Sequence, residues 1–130
     1  DSVKKKLIQV TKESLEIGII KARVGNTLGD VGSAIQRHVE NNGFNVVRGL
    51  VGHGIGKNLH EPPQVLNYGK PGVGSELVEG MVIAIEPMLV TGDWRIKEKG
   101  HVFITKDRCL AAHFEHTVAI TKSGPDVLTK

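Results

Sequence analysis

The chain predicts an α+β fold in which a pair of helices packs on a curved, mainly antiparallel sheet. Apolar residues recur at helical spacing only within residues 2–42, whereas the later apolar runs are short, β-branched and punctuated by glycine and proline. Helices first and strands afterwards argue for α+β rather than an alternating parallel sheet. Two amphipathic helices joined by a short turn also need a flat apolar partner, which a sheet provides.

Each element follows from its residues. Residues 2–21 read as a first helix, with Val3, Leu7, Val10 and Ile17 on one face and Lys and Glu on the other. Asp1 or Ser2 can cap its start, and Gly25 marks the stop. Residues 28–42 form a second helix with an apolar stripe of Leu28, Val31, Ile35 and Val39. Thr27 and Asp30 resemble a capping box in which Asp replaces the usual Glu, and Gly43 ends the helix. Residues 44–51, 81–85, 102–105, 109–114, 117–121 and 127–128 read as strands. The proline- and glycine-rich stretch 61–74 reads as a long irregular loop, and Ser123-Gly124-Pro125 as a turn.

Composition excludes several classes. With 130 residues, 39% hydrophobic and 24% charged, the chain has the makings of one domain with its own core, spanning residues 1–130. The longest apolar runs are strand-sized, so no membrane span and no signal peptide is expected. The net charge of +3 comes without a basic stripe interleaved with aromatics, so nucleic acid is not expected as a partner. The single cysteine, Cys109, rules out an internal disulfide and fits a cytoplasmic location. Its expected role is that of a small buried hydrophobe rather than a nucleophile. A first residue of Asp rather than Met suggests a processed product or a piece of a longer protein.

Four residues stand in contexts that suggest chemistry. His53 lies in Gly52-His53-Gly54-Ile55-Gly56, where flanking glycines remove bulk and present the imidazole. His60 precedes Glu61-Pro62-Pro63, whose prolines impose an extended chain, so it is a candidate proton donor or substrate contact. Glu86 ends the apolar run 81–85 and is followed by Pro87. A carboxylate there must be held by a cation, whether a metal ion or a Lys or Arg side chain. Glu115 lies in Phe114-Glu115-His116-Thr117. Strand alternation puts Glu115, Thr117 and Ala119 on one face and His116, Val118 and Ile120 on the other, so Glu115 and His116 cannot both serve one site without a bulge. Glu115 is favoured, since a carboxylate can bridge two cations. His53, Glu86 and Glu115 together make a ligand set for a divalent metal. His38, His101 and His113 have no distinctive frame, and His38 is expected to face solvent.

These motifs, with Leu59-His60-Glu61 and Pro63-Gln64-Val65 between them, resemble in order those of the methionine aminopeptidases, closest to the bacterial type I group. The resemblance runs from about Val10 to Leu128. It implies half of a pita-bread fold, the C-terminal half of the catalytic domain, with the N-terminal half absent. It also implies a site for two divalent ions, and cobalt, manganese, iron, zinc and nickel all accept imidazole plus carboxylate. By motif match, His53, Glu86 and Glu115 resemble metal ligands. Glu86 also resembles the carboxylate that moves a proton in catalysis, and His60 the catalytic histidine that contacts substrate. Leu59 falls where the family lines the methionine pocket. The substrate so implied is the N-terminal methionine of peptides and nascent proteins.

The chain departs from the family in two respects. The family's two aspartate ligands and a further catalytic histidine have no counterpart, and His101 stands where type I enzymes carry a tryptophan. The activity would then belong to the intact enzyme. The chain alone would be inactive or weakly metal-binding, and would pair with the missing half or with itself. The alternative is a non-catalytic pita-bread binding module. The His60-Glu61-Pro62-Pro63-Gln64 stretch resembles the methionine enzymes more than their Xaa-Pro-cleaving relatives.

Overall fold

The first helix, α1 (Ser2–Lys21), packs beside α2 (Leu28–Asn41). The computed structural model describes all of residues 1–130. Asp1 caps α1 by accepting from the Lys4 backbone N–H at 3.0 Å. The capping box of α2 is complete. Thr27 N–H donates to Asp30 Oδ2 at 2.7 Å, and Asp30 N–H donates to Thr27 Oγ1 at 3.2 Å, so Asp serves where Glu is usual.

The apolar stripe of α2 is buried as its spacing predicts, at Leu28, Val31, Ile35 and Val39. The buried side of α1 keeps Leu7 and Val10 of the expected stripe, with Ile17 half-buried, but is turned around the helix from the rest of it. Val3 is exposed, and burial follows Leu7, Val10, Thr11, Ser14, Leu15 and Gly18. The two buried hydroxyls donate within the helix, Thr11 to Leu7 O at 2.6 Å and Ser14 to Thr11 O at 2.7 Å, so neither is left unpaired. Their small size lets the helices approach closely: a Cβ on Gly18 would lie 2.7 Å from Ile35 Cδ1. His38 does not simply face solvent. Its Nε2 lies 2.9 Å from Glu13 Oε2 and ties α2 to α1.

Ten short strands follow: β1 (Asn45–Val46), β2 (Gly52–Gly54), β3 (Glu61–Val65), β4 (Val82–Ile85), β5 (Met88–Val90), β6 (Ile96–Lys99), β7 (Val102–Thr105), β8 (Ala111–His113), β9 (His116–Thr121) and β10 (Gly124–Val127). Every pairing is antiparallel. The ladders form a five-stranded sheet ordered β10-β9-β4-β2-β3, a three-stranded sheet ordered β1-β5-β8, and the hairpin β6-β7.

Several strands differ from the sequence expectation. Of residues 44–51 only β1 is strand. The stretch 61–74 is not all loop, since its first five residues form β3. Two prolines are tolerated there because β3 is an edge strand, paired only with β2. Gly124-Pro125 lies in β10 rather than in a turn, again on an edge. The sheet strands β5 and β6 lie where periodicity gave no strand signal.

One cluster of buried side chains joins Leu7, Val10 and Leu15 of α1 and the α2 stripe to Val65, Ile83, Ile85, Leu89, Val118 and Ile120. Ala84 lies outside that cluster, as alternation requires, so Ile83 and Ile85 face the helices while Ala84 faces the other way. Cys109 is only partly buried. Burial, and then the neighbouring Asp107 carboxylate, push its thiol above the ordinary range, which disfavours a thiolate nucleophile. Asp107, which also accepts from the Asp93 and Cys109 backbone N–H groups, is held down at about 2 by contacts led by the Cys109 side chain.

The helix pair stands on its contact with the sheet. Ile35→Ala, at a fully buried position, is expected to cost about 2–5 kcal/mol in urea denaturation. Ile8→Ala, at a side chain 52% exposed, should stay within about 0.5 kcal/mol of the parent. Equal small losses would contradict this packing.

Candidate metal centre

The geometry of the site starts from β-sheet register. In the β4–β9 ladder Ile85 lies opposite His116, and in the β5–β8 ladder Met88 lies opposite His113. The pairing offset is the same on both sides of the gap, so Glu86 falls directly opposite Glu115 and Pro87 opposite Phe114. Two carboxylates therefore face each other where one antiparallel ribbon passes from the larger sheet into the smaller. Like charges so placed repel.

β2 supplies the histidine. His53 pairs with Ala84, which pairs with Thr117, so these three share the face away from the helices with Glu86 and Glu115. The glycine frame has the role its residues suggested. A Cβ at Gly52 would run into the Ala84 carbonyl oxygen, and one at Gly54 into that of Pro62. Only glycine lets β2 fit between β4 and the proline-bearing β3.

His53 Nδ1 lies 3.0 Å from the Gly54 carbonyl oxygen. A carbonyl only accepts, so Nδ1 carries the proton and the Nε2 lone pair is free for a cation. That Nε2 is 3.4 Å from Glu86 Oε1. One ligand atom each from His53, Glu86 and Glu115 lies within 4.8 Å of the others. Ligand atoms of one ion with bonds of ~2.0–2.2 Å lie at most about 4.4 Å apart, so a small side-chain adjustment brings all three onto a common ion. Imidazole with two carboxylates suits a divalent transition metal, so the residues fit such an ion.

Glu86 is largely buried, with its side chain 14% exposed, and no Lys or Arg reaches it. Its carboxylate lies instead between two imidazoles, with His113 Nε2 3.3 Å from Oε2. Burial first, and then the Glu115 charge opposite, push the Glu86 carboxyl above the ordinary range, while His113, His53 and His60 pull it back. Its main-chain carbonyl accepts from the fully buried Asn67 Nδ2 at 3.3 Å.

His60 stacks against His53, ring centres 4.0 Å apart and planes inclined by 38°. Leu59 beside it is 69% exposed, an apolar side chain held at the surface next to the site. His116, on the opposite face from Glu115, binds Thr129 Oγ1 through Nδ1 at 2.9 Å, as alternation predicted. His101 is exposed at the β6–β7 turn.

The residue that sequence reading missed is His113. A signal was present: it precedes Glu115 by two, which on an extended chain puts both on one side, and register makes it diagonal to Glu86. Asn67 carried no comparable signal.

Comparison with known proteins agrees with this geometry. Residues 1–122 match the profile of Metallopeptidase family M24. A methionine aminopeptidase of Clostridium acetobutylicum is 53% identical over 126 residues, covering 95% of this chain and 50% of its own. The crystal structure of a methionine aminopeptidase from Thermotoga maritima superposes with a TM-score of 0.97 at 50% identity, over 100% of this chain and 53% of that one. The prolidase of Pyrococcus horikoshii superposes at 0.75 with 27% identity, over 100% of this chain and 32% of its own. The chain thus spans about half the length of the curated relatives it matches. The arrangement is α+β and corresponds to half of the pita-bread fold.

The opposed carboxylates predict a pH signature. A carboxyl raised above its unfolded value binds more protons folded than unfolded, so stability falls as pH rises through the ordinary carboxylate range towards the raised value. With chelator present, Glu86→Gln should therefore be more stable than the parent at pH 7, and the difference should vanish below about pH 4. A Glu86→Gln variant less stable at pH 7 would mean that the histidine contacts outweigh burial and repulsion together.

Proposed function

Because the chain belongs to metallopeptidase family M24, we propose that it forms part of a divalent-metal aminopeptidase that removes N-terminal methionine from peptides and nascent proteins. The observation that carries this reading is the convergence of His53, Glu86 and Glu115 on one cation-sized point. The relatives named above as methionine aminopeptidases support the substrate.

When bound, the divalent ions would supply Lewis acidity for water and for the scissile carbonyl. His53 Nε2 and one oxygen each from Glu86 and Glu115 would hold an ion, and Glu115, the more exposed carboxylate, could reach a second. Glu86 would take the proton from the attacking water, and a carboxyl raised above its ordinary range is a better base for that step. His60 would donate to the substrate carbonyl oxygen as negative charge grows there. Its stacking on His53 supports that placement. Leu59 would line the methionine pocket.

Three donor residues are fewer than a two-ion site needs. The remaining ligands would come from the other half of the length that the relatives have, or from a second copy of this chain. No helix here is long and apolar enough to cross a membrane. The single cysteine, which allows no internal disulfide, supports a cytoplasmic location.

The test is methionine release from a Met-Ala peptide in manganese. The chain is assayed alone and mixed with the unmatched part of the Clostridium acetobutylicum relative. The reading predicts metal-dependent release in the mixture, abolished by Glu86→Gln and reduced about tenfold in kcat/KM by Leu59→Ala. Absence of release from a mixture that demonstrably associates would overturn it, and would favour a binding module.

A further inference from the structure

His113 touches the Glu86 carboxylate and has no place in the ligand set proposed above. It ends β8, opposite Met88 and two residues before Glu115. Register and alternation therefore put it on the same face as both carboxylates and diagonal to Glu86. The two Glu86 oxygens are divided between two rings: Oε1 faces His53 Nε2 at 3.4 Å, and Oε2 faces His113 Nε2 at 3.3 Å.

The His113 ring has no other polar partner. It borders a cavity of about 200 Å³ whose wall is mainly apolar, including Val47, Leu50, Met88, Phe103 and Ile104. Against that wall, the one carboxylate within reach of its Nε2 is that of Glu86, at 3.3 Å. The ring does not join His53, Glu86 and Glu115 in their compact group of ligand atoms. The Glu86 atom it approaches is Oε2, whereas His53 approaches Oε1.

We propose that His113 is a positioning residue for the cation site. Its Nε2–H donates to Glu86 Oε2, fixing the carboxylate so that Oε1 is turned to His53 and Glu115. The inference rests on the reading that those three residues hold a divalent ion. A formed bond to a carboxylate is ~2.7–2.9 Å, and the half-exposed ring can close the difference by side-chain torsion. A ligating carboxylate held in this way loses less freedom when the ion arrives, and loss of such outer partners typically weakens metal binding by about 10–100-fold.

The experiment is cobalt(II) titration of the full chain, followed by calorimetry and by the visible absorption of bound cobalt. His113→Ala and His113→Phe should each weaken binding at least tenfold without moving the absorption bands, since the ligands themselves are unchanged. His113→Gln, whose amide N–H can still donate to the carboxylate, should bind within about threefold of the parent. His53→Ala should both weaken binding and shift the bands. Circular dichroism checks that each variant is folded, and a ring that is 44% exposed leaves room for replacement. If the parent binds cobalt, Glu86→Gln loses it and His113→Ala binds like the parent, the positioning role is wrong while the ligand reading stands. If His113→Ala shifts the bands, or His113→Gln fails like alanine, the imidazole is itself a ligand and the positioning role is overturned. If the parent does not bind cobalt at all, the ligand reading falls and this proposal with it.

Discussion

Glu86 and Glu115 face each other across one antiparallel ribbon, and the site depends on that opposition. Directly opposed like charges destabilise a ribbon, and partial burial of one of them adds desolvation to the repulsion. Two imidazoles approach Glu86, one on each oxygen, and a proton on the ring nitrogen that faces it relieves part of that cost. A divalent cation relieves more of it, because it replaces a repulsion with two attractions. The chain thus carries a local electrostatic strain whose natural counterpart is a metal ion, and the core on the opposite face is what holds the strained pair in register.

That register is robust for a simple reason. Ile83, Ile85, Val118 and Ile120 alternate with the site-facing residues, and all four are buried against the helices. A slip of one residue in β4 or β9 would turn these side chains to solvent and carry Glu86 or Glu115 into the core. The hydrophobic effect therefore determines which face the carboxylates take, at a distance from them. Steric fit does the same for His53. Gly52 and Gly54 admit β2 between its neighbours, and the hydrogen bond from His53 Nδ1 to Gly54 O directs the other ring nitrogen at Glu86.

Much of this was legible in the residues themselves, for identifiable reasons. Helix α2 has a strong apolar stripe and a local cap, so its start, its buried face and the Thr27–Asp30 box were all readable. The faces of Glu115 and His116 followed from period-two alternation alone. Less legible was whatever depends on long-range pairing. β3 contains Pro62 and Pro63 and looks like loop until its place on the sheet edge is known. β1, β5 and β8 are two or three residues each, too short for periodicity to register. The buried side of α1 was legible at Leu7 and Val10 but not at Thr11 and Ser14, which satisfy their hydroxyls inside the helix and so behave as small core residues. His113 needed the register between β5 and β8, a pairing across 25 positions of sequence, before its nearness to Glu86 could be seen.

The comparison with family members of twice the length bears on the same physics. Three donor residues would be enough to define where an ion sits, and are too few to hold two ions alone. The most direct measurement is anomalous diffraction from crystals of the chain soaked in manganese. The account predicts a peak bonded to His53 Nε2, Glu86 and Glu115 at about 2.0–2.2 Å. A peak elsewhere on the chain, with Glu86 and Glu115 turned apart and none between them, would contradict it.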